Sequence, residues 1–225
     1  MKYSKRPIVG LVLAALAFPA FAQVDLTPYL KKDVFGDIKI SPTGEYYAVT
    51  MPAADRTVLA VIRRSDQKFT ARVGGPKASD IADFHWVNDQ RVLVSMAQRL
   101  STLESPVPTG ELHAVNADGT AARSLMSHFD PDAYRLRGDF YAGFLEDDLP
   151  ADDDNVLISV RSFSADPVTQ IDRMHVLTGR RVTVATAPVR RARFTTDGRG
   201  EVRFARGSGN DNVSKLYYRH ARGSA

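Results

Sequence analysis

Short runs of β-branched, aromatic and aliphatic residues alternate along this chain with turn-forming clusters, and each run is too short for a helix. Residues 38–64, IKISPTGEYYAVTMPAADRTVLAVIRR, set the pattern. Ile38 and Ile40 lead into Ser41-Pro42-Thr43-Gly44, where proline presets one backbone angle and glycine tolerates a positive φ. Tyr46, Tyr47, Val49 and Thr50 follow, then a second turn at 53–56, then the apolar run 58–62. Three strands so close together predict an antiparallel meander, not a βαβ unit.

The pattern recurs. A second unit reads as strands at 81–87, 91–96 and 111–115, with a long Ser/Pro/Thr loop at 100–110 and a turn at 116–119. A third has a front segment at 140–149, the acidic turn 150–155, and strands at 156–161, 170–176 and 181–185. A fourth has 192–194, a turn at Thr195-Thr196-Asp197-Gly198, then 201–205 and 213–219. The first turns fall near residues 42, 88, 152 and 196. A spacing of about 40–50 residues with one insertion is that of propeller blades. The runs 92–96 and 156–160 are apolar on both faces, as a sheet packed between two neighbours requires. The expected fold is all-β: a partial β-propeller of about four blades, each a four-stranded antiparallel meander, with blades near 38–79, 80–139, 140–187 and 188–225. A β-sandwich is the competing architecture.

Composition changes the picture at the N-terminus. Lys2, Lys5 and Arg6 precede an apolar run at 8–18 and the small residues Ala20-Phe21-Ala22. This is the form of a cleavable signal peptide over 1–22, cut after Ala22, with a leader at 23–37. The run is shorter than the ~18–20 residues that a spanning helix needs. A periplasmic or secreted location is expected, with no membrane association after cleavage; a retained N-terminal anchor is the alternative. The chain has 30 Lys+Arg against 26 Asp+Glu, a formal +4. Removing the three basic residues of the segment leaves 27 against 26, or +1, so the high pI does not indicate a nucleic-acid partner. With no cysteine, stability in an oxidising compartment must come from packing.

Several stretches resemble the N-terminal propeller of the prolyl oligopeptidase family of serine peptidases, near its acylaminoacyl-peptidase and dipeptidyl-peptidase-like bacterial members. They are FGDIKISPTGEYYA from Phe35, FHWVNDQRVLVS from Phe84, GELHAVNADG from Gly110 and, more loosely, FTTDG from Phe194. Such turns also occur in TolB-like periplasmic propellers. The resemblance implies a ring that admits short, unstructured peptides to an α/β-hydrolase domain carrying a Ser-Asp-His triad. That domain is expected beyond residue 225, so no catalytic residue is assigned within this chain and it is expected to be inactive alone. The alternative is a stand-alone periplasmic binding or scaffold propeller.

Candidate chemistry within the chain is sparse. Gly207-Ser208-Gly209 lacks the spacing of a nucleophile elbow and reads as a turn between strands; Ser41 reads as a turn residue. His85, His113, His128, His175 and His220 stand singly, so neither a metal site nor a cofactor is expected. Asp152-Asp153-Asp154 lacks the alternating ligands of a calcium loop and reads as a solvated turn. Asp147-Asp148 resembles the acidic pair with which dipeptidyl-peptidase relatives hold a substrate amine, but those are paired glutamates, and no site is assigned to it. Arg190, Arg191, Arg193, Arg199, Arg203 and Arg206 read as one basic face of a strand pair, solvated or lining a tunnel or docking surface.

Overall fold

A computed structural model describes residues 33–101, 104–127, 141–211 and 213–220. The chain divides into two compact units, Met1–Asp33 and Val34–Ala225, and the strands belong to the second. The expected signal segment, its cleavage point, residues 23–32 of the leader and His128 lie outside the described residues.

Fifteen strands and no helix make up the described residues, arranged in four antiparallel sheets. The first sheet holds β1 (Ile38–Ile40), β2 (Tyr46–Pro52), β3 (Thr57–Arg63) and β4 (Phe69–Val73) in sequence order. The second holds β5 (Ser79–Trp86), β6 (Arg91–Gln98), β7 (Val107–Asn116) and β8 (Arg123–Met126). The third holds β9 (Tyr141–Asp147), β10 (Asn155–Ser162), β11 (Gln170–His175) and β12 (Arg181–Thr186). The fourth has three strands, β13 (Arg193–Thr196), β14 (Val202–Ser208) and β15 (Ser214–Tyr218). Every sheet is a meander whose neighbours in sequence are neighbours in space, and this all-β series of blade-like sheets is a partial propeller.

Alternation along each central strand explains how the sheets stack. In β6, Val92, Val94 and Met96 pack with Ala48, Leu59 and Val61 of the first sheet. Leu93, on the opposite face, packs with Val156, Ile158 and Val160 of β10. The other face of β10 presents Leu157 to Phe194, Val202 and Ala205 of the fourth sheet. Each central sheet is therefore dry on both sides, which is why its strands read as continuous apolar runs. Burying each such aliphatic side chain contributes roughly 1.5–3 kcal/mol.

The structure departs from the sequence reading at four places. The segment 107–110, expected in a loop, opens β7, where Val107 and Pro108 pair with Gln98 and Ala97. Gly110 then turns the strand at φ 78°, and a Cβ there would overlap Ala142 of the third sheet. Thr195 and Thr196 are not turn residues; they end β13, and the turn starts at Asp197. Gly207 and Ser208 lie in β14 rather than in a turn, paired with Lys215 and Ser214. The outer strands β4 and β8 were not distinguished in the sequence; each buries only one or two residues.

Polar latches join the sheets. Arg91, at the start of β6, is 3% exposed. Its Nε donates to Val176 O of the third sheet at 2.7 Å, while Nη1 reaches Asn116 Oδ1 at 2.7 Å and Nη2 reaches Ala121 O at 3.1 Å. Asn88 Nδ2 donates to Asp153 O at 2.7 Å beside it. The hydroxyl of Thr70 donates to Ala117 O between the first and second sheets.

Candidate functional site: an acidic cleft along the first strands

The first strands of successive sheets meet one another. Lys39 of β1 donates through Nζ to Asp83 Oδ1 and to Phe84 O of β5, both at 2.6 Å. The indole of Trp86 donates back to Lys39 O at 3.1 Å. Thr196 of β13 donates its hydroxyl to Asp147 Oδ2 of β9 at 2.6 Å. Between these contacts opens a cleft of about 570 Å³ lined by Asp83, His85, Glu146, Asp147, Asp148 and Asp197. Three sheets contribute to it.

Its carboxylates differ in what holds them. Burial alone would raise Asp83, but hydrogen bonds from Lys39, from His85 and from the Phe84 amide outweigh it, and the carboxyl sits below its ordinary value. His85 Nε2 lies 2.8 Å from Asp83 Oδ2. Asp147 is a structural group, since its Oδ1 also accepts from Leu149 N at 2.8 Å. Asp197 accepts from Arg203 Nε at 2.6 Å and from the amides of Arg199 and Glu201, and these bonds hold it below the ordinary carboxylate range. Glu146 is the exception. Burial, with Asp147 adding to it, pushes its carboxyl above the ordinary value against a hydrogen bond with Ser159 and the nearby Arg193. Of the five acidic groups, Asp83 is paired with Lys39 and Asp197 with Arg203; Glu146, Asp147 and Asp148 leave the cleft an acidic lining that favours cations and ammonium groups.

Of the described histidines, only His85 joins the cleft. His113 lies in β7, where burial holds it below its ordinary value despite Glu111. His175 Nδ1 accepts from Leu177 N at 3.1 Å, and His220 stacks edge-on against Tyr218. Among the described residues, no group of three or more His, Cys, Asp or Glu side chains is placed to hold a metal ion. Ser41 is buried and its hydroxyl accepts from Tyr46 N at 3.1 Å, so it organises the first turn. Asp152 plays the same part in the third sheet, accepting from the amides of Asp154 and Asn155 and pairing with Arg173.

The six arginines do not form one face. Arg190 and Arg191 pair with Asp166 at 3.4 Å, Arg203 is committed to Asp197, and Arg206 Nε donates to Ser214 Oγ at 3.1 Å. Arg193 lies directly across from Arg206. A bulge between Thr195 and Thr196 breaks the expected alternation, leaving Ala205 buried and Phe204 exposed. Part of the signal for the cleft is nonetheless in the sequence: Asp83 and Asp147 precede the first turns at Asn88 and Asp152 by the same interval, although Asp37, at that position in the first unit, does not line the cleft.

No protein-family model matches this chain, and a search of curated proteins finds no match. Among solved structures, it is similar to a Bacteroides uniformis protein assigned as a 6-phosphogluconolactonase, at 18% identity and TM-score 0.38, over 83% of this chain and 50% of that one. It is also similar to an oligogalacturonate lyase solved with manganese, at 9% identity and TM-score 0.31, over 84% of this chain and 66% of that one. The chain thus spans half the length of the first and about two thirds of the second. At these scores neither likeness bears on activity.

Proposed function

We propose that this chain is the substrate-admitting propeller portion of an exported, prolyl-oligopeptidase-like serine peptidase, with hydrolysis performed by residues outside it. The observation that carries the reading is the acidic cleft, built where the first strands of three sheets converge, in a fold whose own candidate nucleophiles are committed to structure. A passage in that place selects by width, and its carboxylates attract the ammonium groups of peptides. The N-terminal segment 1–22 and the resemblances at 35–48, 84–95 and 110–119 support export and the peptidase assignment. In this role the sheets exclude folded chains, while Glu146 and Asp148 bias entry toward cationic peptide ends.

The test is active-site labelling of the native protein with a fluorophosphonate probe. A labelled polypeptide that yields tryptic peptides of this chain, such as residues 92–99, is the expected result. If the polypeptide carrying those peptides stays unlabelled and hydrolyses no peptide, the reading falls and a binding or scaffold propeller takes its place.

A further inference from the structure

On the other side of the turns at Pro150 and Gly198, away from the acidic cleft, a trough runs between the third and fourth sheets. It comprises two cavities of about 500 and 460 Å³ that share Val184, Val202 and Arg219. Each has the size of a small-molecule site. The two halves differ in chemistry. Arg173, Arg199 and Arg219 rim the first over a floor of Leu157 and Val202, both buried. Phe194, Tyr217 and Tyr218 line the second.

The arginines are placed by the fold. Arg219 follows β15 and donates through Nη1 to Val184 O of β12 at 3.2 Å, which fixes its guanidinium where the two halves join. A guanidinium has five N–H groups, so donors remain for a ligand. Arg199 rides on the turn after β13, where its amide is bound to Asp197 Oδ1 at 2.9 Å. That turn closes through Gly200 at φ 73°, and a Cβ on Gly200 would overlap Leu149, so the turn docks against the third sheet and sets Arg199 on the rim. Arg173 is oriented by its pair with Asp152. Against three arginines the lining carries two acids, Asp152 and Glu201, leaving the rim positive.

We propose that this trough binds a small amphiphilic anion. Its carboxylate or phosphate head would lie against Arg199 and Arg219, where bidentate, charge-assisted bonds are strongest. Its aromatic or aliphatic body would lie along Phe194 and Tyr217. The inference stands apart from the peptidase reading, because it uses neither the acidic cleft nor hydrolysis.

Calorimetric titration of the full chain tests it, with 2-naphthoate and 2-naphthyl phosphate as anions and 2-naphthylmethanol as the neutral counterpart. One-to-one binding of at least one anion is expected, at least tenfold tighter than the alcohol, and the tighter of the two identifies the head group. Arg199→Gln and Arg219→Gln each weaken that binding about tenfold or more, whereas Arg206→Gln, outside the trough, does not. Arg199 lies on an exposed turn, so its variant keeps the wild-type circular dichroism and separates lost binding from lost fold. Failure of both anions to bind, equal binding of the alcohol, or unchanged affinity in Arg199→Gln and Arg219→Gln overturns the proposal.

Discussion

Replacing Arg91 by alanine is the sharpest test of how the sheets are held together. The side chain is buried at the junction of the second and third sheets, and its three bonds end on Val176 O, Asn116 Oδ1 and Ala121 O. Burial, with Arg123 adding repulsion, holds its pKa below the ordinary value, so the native state already bears a desolvation cost that these bonds offset. Truncation recovers that cost but leaves three acceptors facing a cavity. All three acceptors are neutral oxygens, and each left unsatisfied in a buried setting costs roughly 1–3 kcal/mol. The bond to Val176 O is buried while those to Asn116 and Ala121 are part-buried and open to replacement by water, so a loss of about 3–4 kcal/mol is expected. With a urea m-value of roughly 2 kcal/mol/M, the midpoint falls by about 1.5–2 M. Trp86, the single tryptophan, reports on the second sheet by fluorescence, and far-UV circular dichroism reports on all four. A midpoint shift below about 0.3 M would show that Arg91 is not the latch between these sheets.

Four other perturbations have outcomes set elsewhere in the fold. Gly110→Ala forces an L-residue to a positive φ against Ala142 and lowers stability by about 2 kcal/mol or more, measured by urea unfolding. Glu146 has a folded pKa raised above its unfolded value near 4.3, so it detracts from stability as pH rises through that interval. Glu146→Gln should therefore stabilise the protein at pH 7, with the gain vanishing below about pH 4. Asp83 has the opposite sign: its depressed pKa contributes stability above about pH 4 that is lost in acid, so Asp83→Asn destabilises at pH 7 and progressively less below pH 4. Finally, Phe204, Leu216 and Tyr218 lie exposed on one face of the last sheet, and the chain expressed alone should bind a hydrophobic dye or self-associate. Leu216→Glu with Tyr218→Glu should reduce dye fluorescence severalfold; no change would place the dye elsewhere.

What the sequence made legible was what a residue's own type decides. Val92, Leu93 and Val94 declare a strand buried on both faces, and Pro42 with Gly44 declares a turn. The outer strands β4 and β8 were hidden because Phe69 and Arg123 face solvent and little in either run alternates cleanly. Arg91 could not be told from a solvated strand-opening arginine, since its acceptors at 116, 121 and 176 arrive only on folding. The basic cluster misled for the converse reason. Its alternation is real in sequence, but the bulge at Thr195 and the separate carboxylates of Asp166 and Asp197 scatter it. The acidic cleft stands between: Asp83 and Asp147 share a repeat position in the sequence, but their convergence on one cavity with Asp197, and the exclusion of Asp37 from it, come only with the stacked sheets.

The proposal that the sheets select short peptides for a peptidase stands or falls on the native protein's cleavage of a length series. One scissile sequence is presented in a short peptide, in a long unfolded chain and in a folded domain. Rapid cleavage of the short peptide, a steep fall with length and none of the folded domain are expected, with Arg91→Ala relaxing the cutoff. Equal cleavage rates across the series, or a cutoff unmoved by parting the second and third sheets, would contradict it.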